Sequence, residues 1–267
     1  MTRTTDSGIP STARESLLSQ RLSLGLSDAE AGTPAERRFQ TIYHTIRERI
    51  TLLEYLPRTV LDIDALAAEF AVSRTPVRSV LQMLSYHGLV FSRHGVRTSV
   101  APIDFERLRE DLALRSCLAE LIGELTPLDV KPAAIDLLSK AERDCRQLIE
   151  HPDLKNFARI DIEVHDAICS VIGNRQLLRV YDDLYYRTAR VWSYFLPRLD
   201  WREEVSIFHR DIAARVDAMT RGDIRALGFL TRNAVSAVLI RLDSLIDQMR
   251  TSRDPGEPRL SSAAGKP

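Results

Sequence analysis

Cysteine is scarce: Cys117, Cys145 and Cys169 are the three in 267 residues, and no two stand in C-x-x-C spacing. That spacing argues against a disulfide framework and suits a reducing cytosol, with all three read as small buried hydrophobes. Glycine is also sparse, at 11 residues, and β-branched alternation is rare, so little sheet is expected. No stretch approaches the ~18 consecutive apolar residues of a membrane span. The opening "MTRTTDSGIPSTARESLLSQ" lacks the apolar segment of a secretory signal, so a cytoplasmic protein without membrane association is the expectation. H-E-x-x-H, a nucleophile elbow and a phosphate-cradling glycine loop are all absent, which points away from an enzyme.

What is present is a 44% hydrophobic composition and enough length for two modest domains. Lys and Arg balance Asp and Glu at 37 each, but unevenly along the chain. Residues 34–103 carry nine basic against six acidic side chains, and residues 104–250 carry 22 against 25. From Ser73 to Ser99 there are four arginines and no acid. A local cationic surface on a neutral protein implies a polyanionic partner held at one place.

Residues 1–33 and 251–267 are polar, without sustained apolar period, and read as a disordered arm and a disordered tail. Between them lie two expected domains, 34–103 and 104–250. In the first, Ile42, Ile46, Ile50 and Leu53 share one helix face, and Pro57 stops that helix. Asp62 is the expected N-cap of a short second helix. Ser73 is the expected N-cap of a third, whose Pro76 sits in the first turn where a missing N–H costs nothing. Val77, Val80, Leu81 and Leu84 form its core face, and Gly88 ends it. Arg74, Thr75, Arg78 and Gln82 take the opposite arc, all with groups that hydrogen-bond phosphates or base edges. "LVFS", a tight "RHGV" turn and "RTSV" then make a hairpin. Paired arginines alone are more often a solvated face; with an arginine-bearing, acid-free hairpin they spell a winged helix-turn-helix.

Residues 39–102, through "LDIDALAAEFAVSRTPVRSVLQMLSYHGLV" and "RHGVRTSV", resemble the N-terminal domain of the GntR family of bacterial transcription regulators. The resemblance implies DNA contacts from Arg74, Thr75 and Arg78, with His94 and Gly95 at a wing tip entering the minor groove; Ser73 and Gln82 on the same side of the helix are expected to join them. Two positions depart from the family pattern: Asp64 lies where an arginine often reaches DNA, and Arg58 replaces the usual turn glycine.

From Asp104 to Arg250 the pattern is helical, broken near "TPLDVKP", "EHPD", "GN", "LPRLD" and "RGD", which predicts a bundle of about six or seven helices and a mainly α protein. Asp161 and His165 stand i, i+4 on an apolar arc, and His209 and Asn233 lie among apolar neighbours on later helices. Four inward polar groups can meet at a divalent ion such as zinc, nickel or manganese; a hydrogen-bonded core pair is the alternative. The aromatic-rich "DLYYRTARVWSYF" reads as core or dimer surface.

Residues 104–250 resemble the FCD effector domain of the FadR subfamily, through "RIDIEVHDAICSVIGNRQL" and "FHRDIAARVDAMTRGD". Many such domains bind a metal through one Asp and three His. The resemblance assigns Asp161, His165, His209 and, in place of the last histidine, Asn233 as ligands. It also places Arg115 at a small organic acid effector, which Asn233 is expected to contact as well; an internal ion pair is the other reading of Arg115. The expected whole is a ligand-responsive homodimer on a palindromic double-stranded DNA operator. A metal-free regulator that binds effector directly, or less readily a metal-dependent enzyme, stands as the alternative.

Overall fold

The computed structural model describes Arg21, Leu24, residues 33–92 and residues 97–251. Helix α1 (Pro34–Thr51) opens on a capping box, in which Thr33 N donates to Glu36 Oε2 at 2.6 Å and Glu36 N to Thr33 Oγ1 at 3.3 Å. Ile42, Ile46 and Ile50 are buried as expected. The helix ends before Pro57, because Glu54 N and Tyr55 N both turn back onto Arg49 O. Leu53 therefore lies past the helix at φ 57° instead of on its buried face.

Helix α2 (Ile63–Glu69) is capped by Asp62, which accepts from Asp64 N and Ala65 N. Helix α3 (Arg74–Tyr86) buries Val77, Val80, Leu81 and Leu84. Ser73 occupies its N-cap position, but the hydroxyl makes no capping bond. Gly88 follows at φ 74°, and Leu89 N closes onto Leu84 O at 2.9 Å. Strands β1 (Val90–Ser92) and β2 (Thr98–Val100) pair antiparallel, Val90 opposite Val100. The turn after α1 keeps its left-handed residue although it is Arg58, at φ 71°, whose N–H reaches Val100 O at 3.0 Å. That bond ties the strained residue to the wing.

The second domain has six α-helices among the described residues: α4 (Phe105–Glu120), α5 (Pro132–Leu148), α6 (Leu154–Cys169), α7 (Arg175–Phe195), α8 (Trp201–Thr220) and α9 (Ile224–Thr251). Asp104, Asp153, Asn174 and Asp200 cap α4, α6, α7 and α8 with their side chains, so the polar breaks in the sequence are the helix starts. Helix α4 packs on α7 and α9, and α5 on α6 and α8.

The two domains meet along α1 and α7. Tyr185, Tyr186 and Ala189 of α7 join the same buried cluster as Ile42, Ile46, Leu84 and Val90. Two residues of the expected disordered arm also belong here. Arg21 and Leu24 are each 3% exposed: Arg21 is ion-paired to Asp166 and Asp182, and Leu24 joins the helical core while its carbonyl accepts from Lys131 Nζ at 3.1 Å. Buried charge pairing and apolar burial hold these two positions. No helix among the described residues is long and apolar enough to cross a membrane.

Candidate functional site

The outer arc of α3 stays free of the core. Arg74, Thr75, Arg78 and Gln82 are exposed, as is Ser73 before them. A groove of about 670 Å³ separates α3 from the wing, lined by Arg78, Gln82, Arg97, Asp62 and Thr98 over Leu61 and Leu81. Arg78 and Gln82 point into it one turn apart, with Arg97 facing them from the wing. Arg74 is engaged differently. Its guanidinium lies on Asp64 of α2, with Nη2 3.0 Å from Oδ2, and both side chains are more than half exposed. His94 and Gly95 lie outside the described residues.

The helical domain encloses a second site. Helices α4, α6, α7, α8 and α9 surround a cavity of about 90 Å³, lined among others by Arg115, Asp161, His165, Asp211, Arg215 and Thr231. A smaller lobe of about 60 Å³ shares Arg115 and Asp161 with it. Asp161 accepts from Tyr185 Oη at 2.9 Å, and burial raises its pKa against the pull of Arg115. The His165 ring stacks on Tyr185 with centroids 3.6 Å apart, while Nε2 donates to Asp182 Oδ1 at 2.9 Å. Burial holds His165 down at about 4, only partly offset by Asp182, so the ring is neutral at pH 7.

Asp161, His165 and Arg115 thus come together; His209 and Asn233 do not join them. His209 Nε2 bonds Glu142 Oε1 on α5 at 2.5 Å. Asn233 is exposed, and its Oδ1 accepts from Arg232 Nη2 at 2.8 Å. Each sits one residue off the lining arc, about 100° around its helix. On α8 that arc is Glu204, Phe208, Asp211 and Arg215; on α9 it is Thr231, Ala234, Val235, Val238 and Arg241. Apolar neighbours misplaced Asn233, because Phe229 and Ile240 beside it are surface residues, 43% and 67% exposed. Sequence reasoning missed Arg215, Asp211 and Thr231. The i, i+4, i+7, i+11 run from Glu204 to Arg215 was the available signal.

Residues 38–100 match the family described as "Bacterial regulatory proteins, gntR family", and residues 110–227 match the FCD domain. A Streptomyces ambofaciens protein, an uncharacterized HTH-type transcriptional regulator in an unstable DNA locus, is 30% identical over 78% of this chain and 86% of its own length. The chain belongs to the GntR family of transcriptional regulators. The gluconate operon transcriptional repressor of Bacillus subtilis (strain 168) is 28% identical over 47% of this chain and 51% of that protein. The E. coli McbR/YncC structure superposes with a TM-score of 0.61 at 15% identity, covering 80% of this chain and 98% of that one, which shows a shared fold. The family is one of regulators, not of enzymes.

FCD domains are often associated with a metal, and two sets of donors in this GntR regulator come close to one another. Asp161 and His165 have neither His209 nor Asn233 to complete them, and the guanidiniums of Arg115, Arg215 and Arg241 line the same cavity. His165, Cys169 and Asp182 do bring three ligand atoms within 4.8 Å. There the carboxylate is spent on Arg47 at 2.9 Å and Arg21 at 3.1 Å, and burial keeps the Cys169 thiol protonated. Neither set fits a divalent cation: one lacks donors, the other is already neutralised.

Proposed function

We propose that this GntR regulator binds operator DNA as a cytoplasmic homodimer and changes its DNA affinity when a small organic acid enters the cavity of its FCD domain. The observation that carries the reading is the two-sided character of α3: Val77, Val80, Leu81 and Leu84 are buried while Arg78 and Gln82 project into an open groove facing Arg97. A helix so divided lays its outer arc in a major groove, where Arg78 makes two parallel hydrogen bonds to a guanine edge and Arg74, Thr75 and Ser73 fix register on phosphates. His94 and Gly95 would follow the minor groove. A dimer suits a palindromic operator, and exposed Leu114, Phe229 and Ile240 on α4 and α9 supply apolar surface for a second copy. Arg115 in the cavity supports an acidic effector. So does the similarity to a regulator named for a gluconate operon.

Footprinting on the DNA upstream of its own gene tests the reading. Two protected half-sites about one helical turn apart are expected. An unprotected fragment, or equal affinity for random DNA, would overturn it, as would a monomer in sedimentation at the concentrations that protect.

A further inference from the structure

Two cationic side chains in the FCD cavity are built to meet a ligand. Arg215 is 4% exposed, yet its Nε has no hydrogen-bond partner among the described residues, and its electrostatic neighbours are Asp211, Tyr181, Arg115 and Asp161. Arg115 likewise has a buried Nε without a hydrogen-bond partner among the described residues; it rests over the Tyr185 ring at 4.9 Å, reaches Thr188 Oγ1 at a long 3.4 Å and has the Tyr181 hydroxyl beside it. Thr231, 1% exposed, adds a hydroxyl with no partner among the described residues. Arg241 Nε is buried in the same way, but Glu204 Oε2 lies 3.2 Å from it and pairs its charge. Leaving donors buried and unmet is costly unless something else meets them.

Resting on the regulator reading above, we infer that Arg215, Thr231 and Arg115 form a metal-independent receptor for a small hydroxy-carboxylate. Charge and hydrogen-bonding capacity select this class. A carboxylate accepts from both guanidinium forks, the strongest pairing available to arginine. Asp161, with Oδ2 already on Tyr185, lines the same cavity, and so does Asp211. These acceptors call for hydroxyl donors on the ligand. A simple dicarboxylate would set its second charge against Asp161 and Asp211, and a neutral sugar would leave both guanidiniums unmet. A divalent cation would face three guanidiniums. The volume of about 90 Å³, room for several waters, holds a short chain.

Full-length protein purified with and without EDTA is titrated with gluconate, malate, succinate and glucose, read by calorimetry and thermal shift. At least one hydroxy acid is expected to bind and raise Tm equally in both preparations, with succinate and glucose at least tenfold weaker. Arg215→Gln and Thr231→Val should each weaken binding, the first at least tenfold, with Arg215→Lys recovering part. Thr231→Val conserves shape and keeps the test valid if Arg215→Gln does not fold. Binding that vanishes with EDTA and returns with zinc would overturn the inference. So would succinate binding as well as the hydroxy acids, unaltered binding by both variants, or no response to any hydroxy acid. The regulator reading fails separately, if the protein protects no DNA whether or not these titrations succeed.

Discussion

Arg47 on α1 of the DNA-binding domain donates to Asp182 on α7 of the effector domain at 2.9 Å, both out of solvent. Asp182 also receives His165 Nε2 and Arg21, so three segments of the chain converge on one carboxylate. Burial alone would raise its pKa, but the guanidiniums of Arg21 and Arg47 outweigh that and hold it well below the usual carboxylate range. From His165 the contact runs through the stacked Tyr185 ring to Asp161 at the cavity wall. The DNA-binding helices and the FCD cavity therefore share a continuous buried network.

Arg47→Met breaks the bridge while Arg21 still neutralises Asp182. The expected cost is about 3 kcal/mol, the low end for a broken buried pair. In calorimetry the native protein is expected to unfold in one transition and the variant in two, one per domain. A single transition at an unchanged Tm would show that the bridge couples nothing.

Asp64 and Arg74 form an exposed pair, so removing the carboxylate should change stability by less than about 1 kcal/mol. Asp64→Asn releases Arg74 toward phosphate. Non-specific DNA affinity should rise, and the salt dependence should steepen by roughly one ion. Arg78→Ala should do something different: lose about 1–3 kcal/mol on the operator and relax its sequence preference, with little change on random DNA. Anisotropy titrations over a salt series separate the two effects.

His165 makes the protein acid-sensitive. Its folded pKa of about 4 lies below the ordinary 6.5, so between these values the unfolded chain binds a proton that the native protein refuses. Stability should fall as pH drops from 6.5 to 4, by on the order of 3 kcal/mol for this ring, and level off below. Asp182 and the thiol of Cys169 lie against the ring, which Tyr181, Tyr185 and Tyr186 surround, with Arg115 and Arg21 nearby. His44, pushed down by burial and Arg47, adds to the same window. Urea unfolding across pH should show a shallower slope in His165→Gln.

Gly173, just before the α7 cap, has no room for a side chain. A Cβ there would stand 2.1 Å from the Thr126 carbonyl oxygen, on backbone that Leu128 N pins to Val171 O at 2.8 Å. Gly173→Ala should cost about 2–3 kcal/mol of stability, measured by denaturant midpoint.

The spacing of apolar residues and the capping side chains by themselves determined the helix order, the wing and the outward face of α3. Those features follow from local rules: Asp62 and Gly88 act on backbone within a few residues, and Val77 to Leu84 repeat at the helical period. The residues of α8 and α9 that complete the cavity beside Arg115, Asp161 and His165, and the Arg47–Asp182 bridge, were decided by tertiary structure alone. A periodic pattern says which residues are apolar, but not which neighbour each face will meet. Phe229 and Ile240 therefore drew Asn233 toward the wrong arc, while Arg215 looked like one more surface arginine until four other helices closed around it.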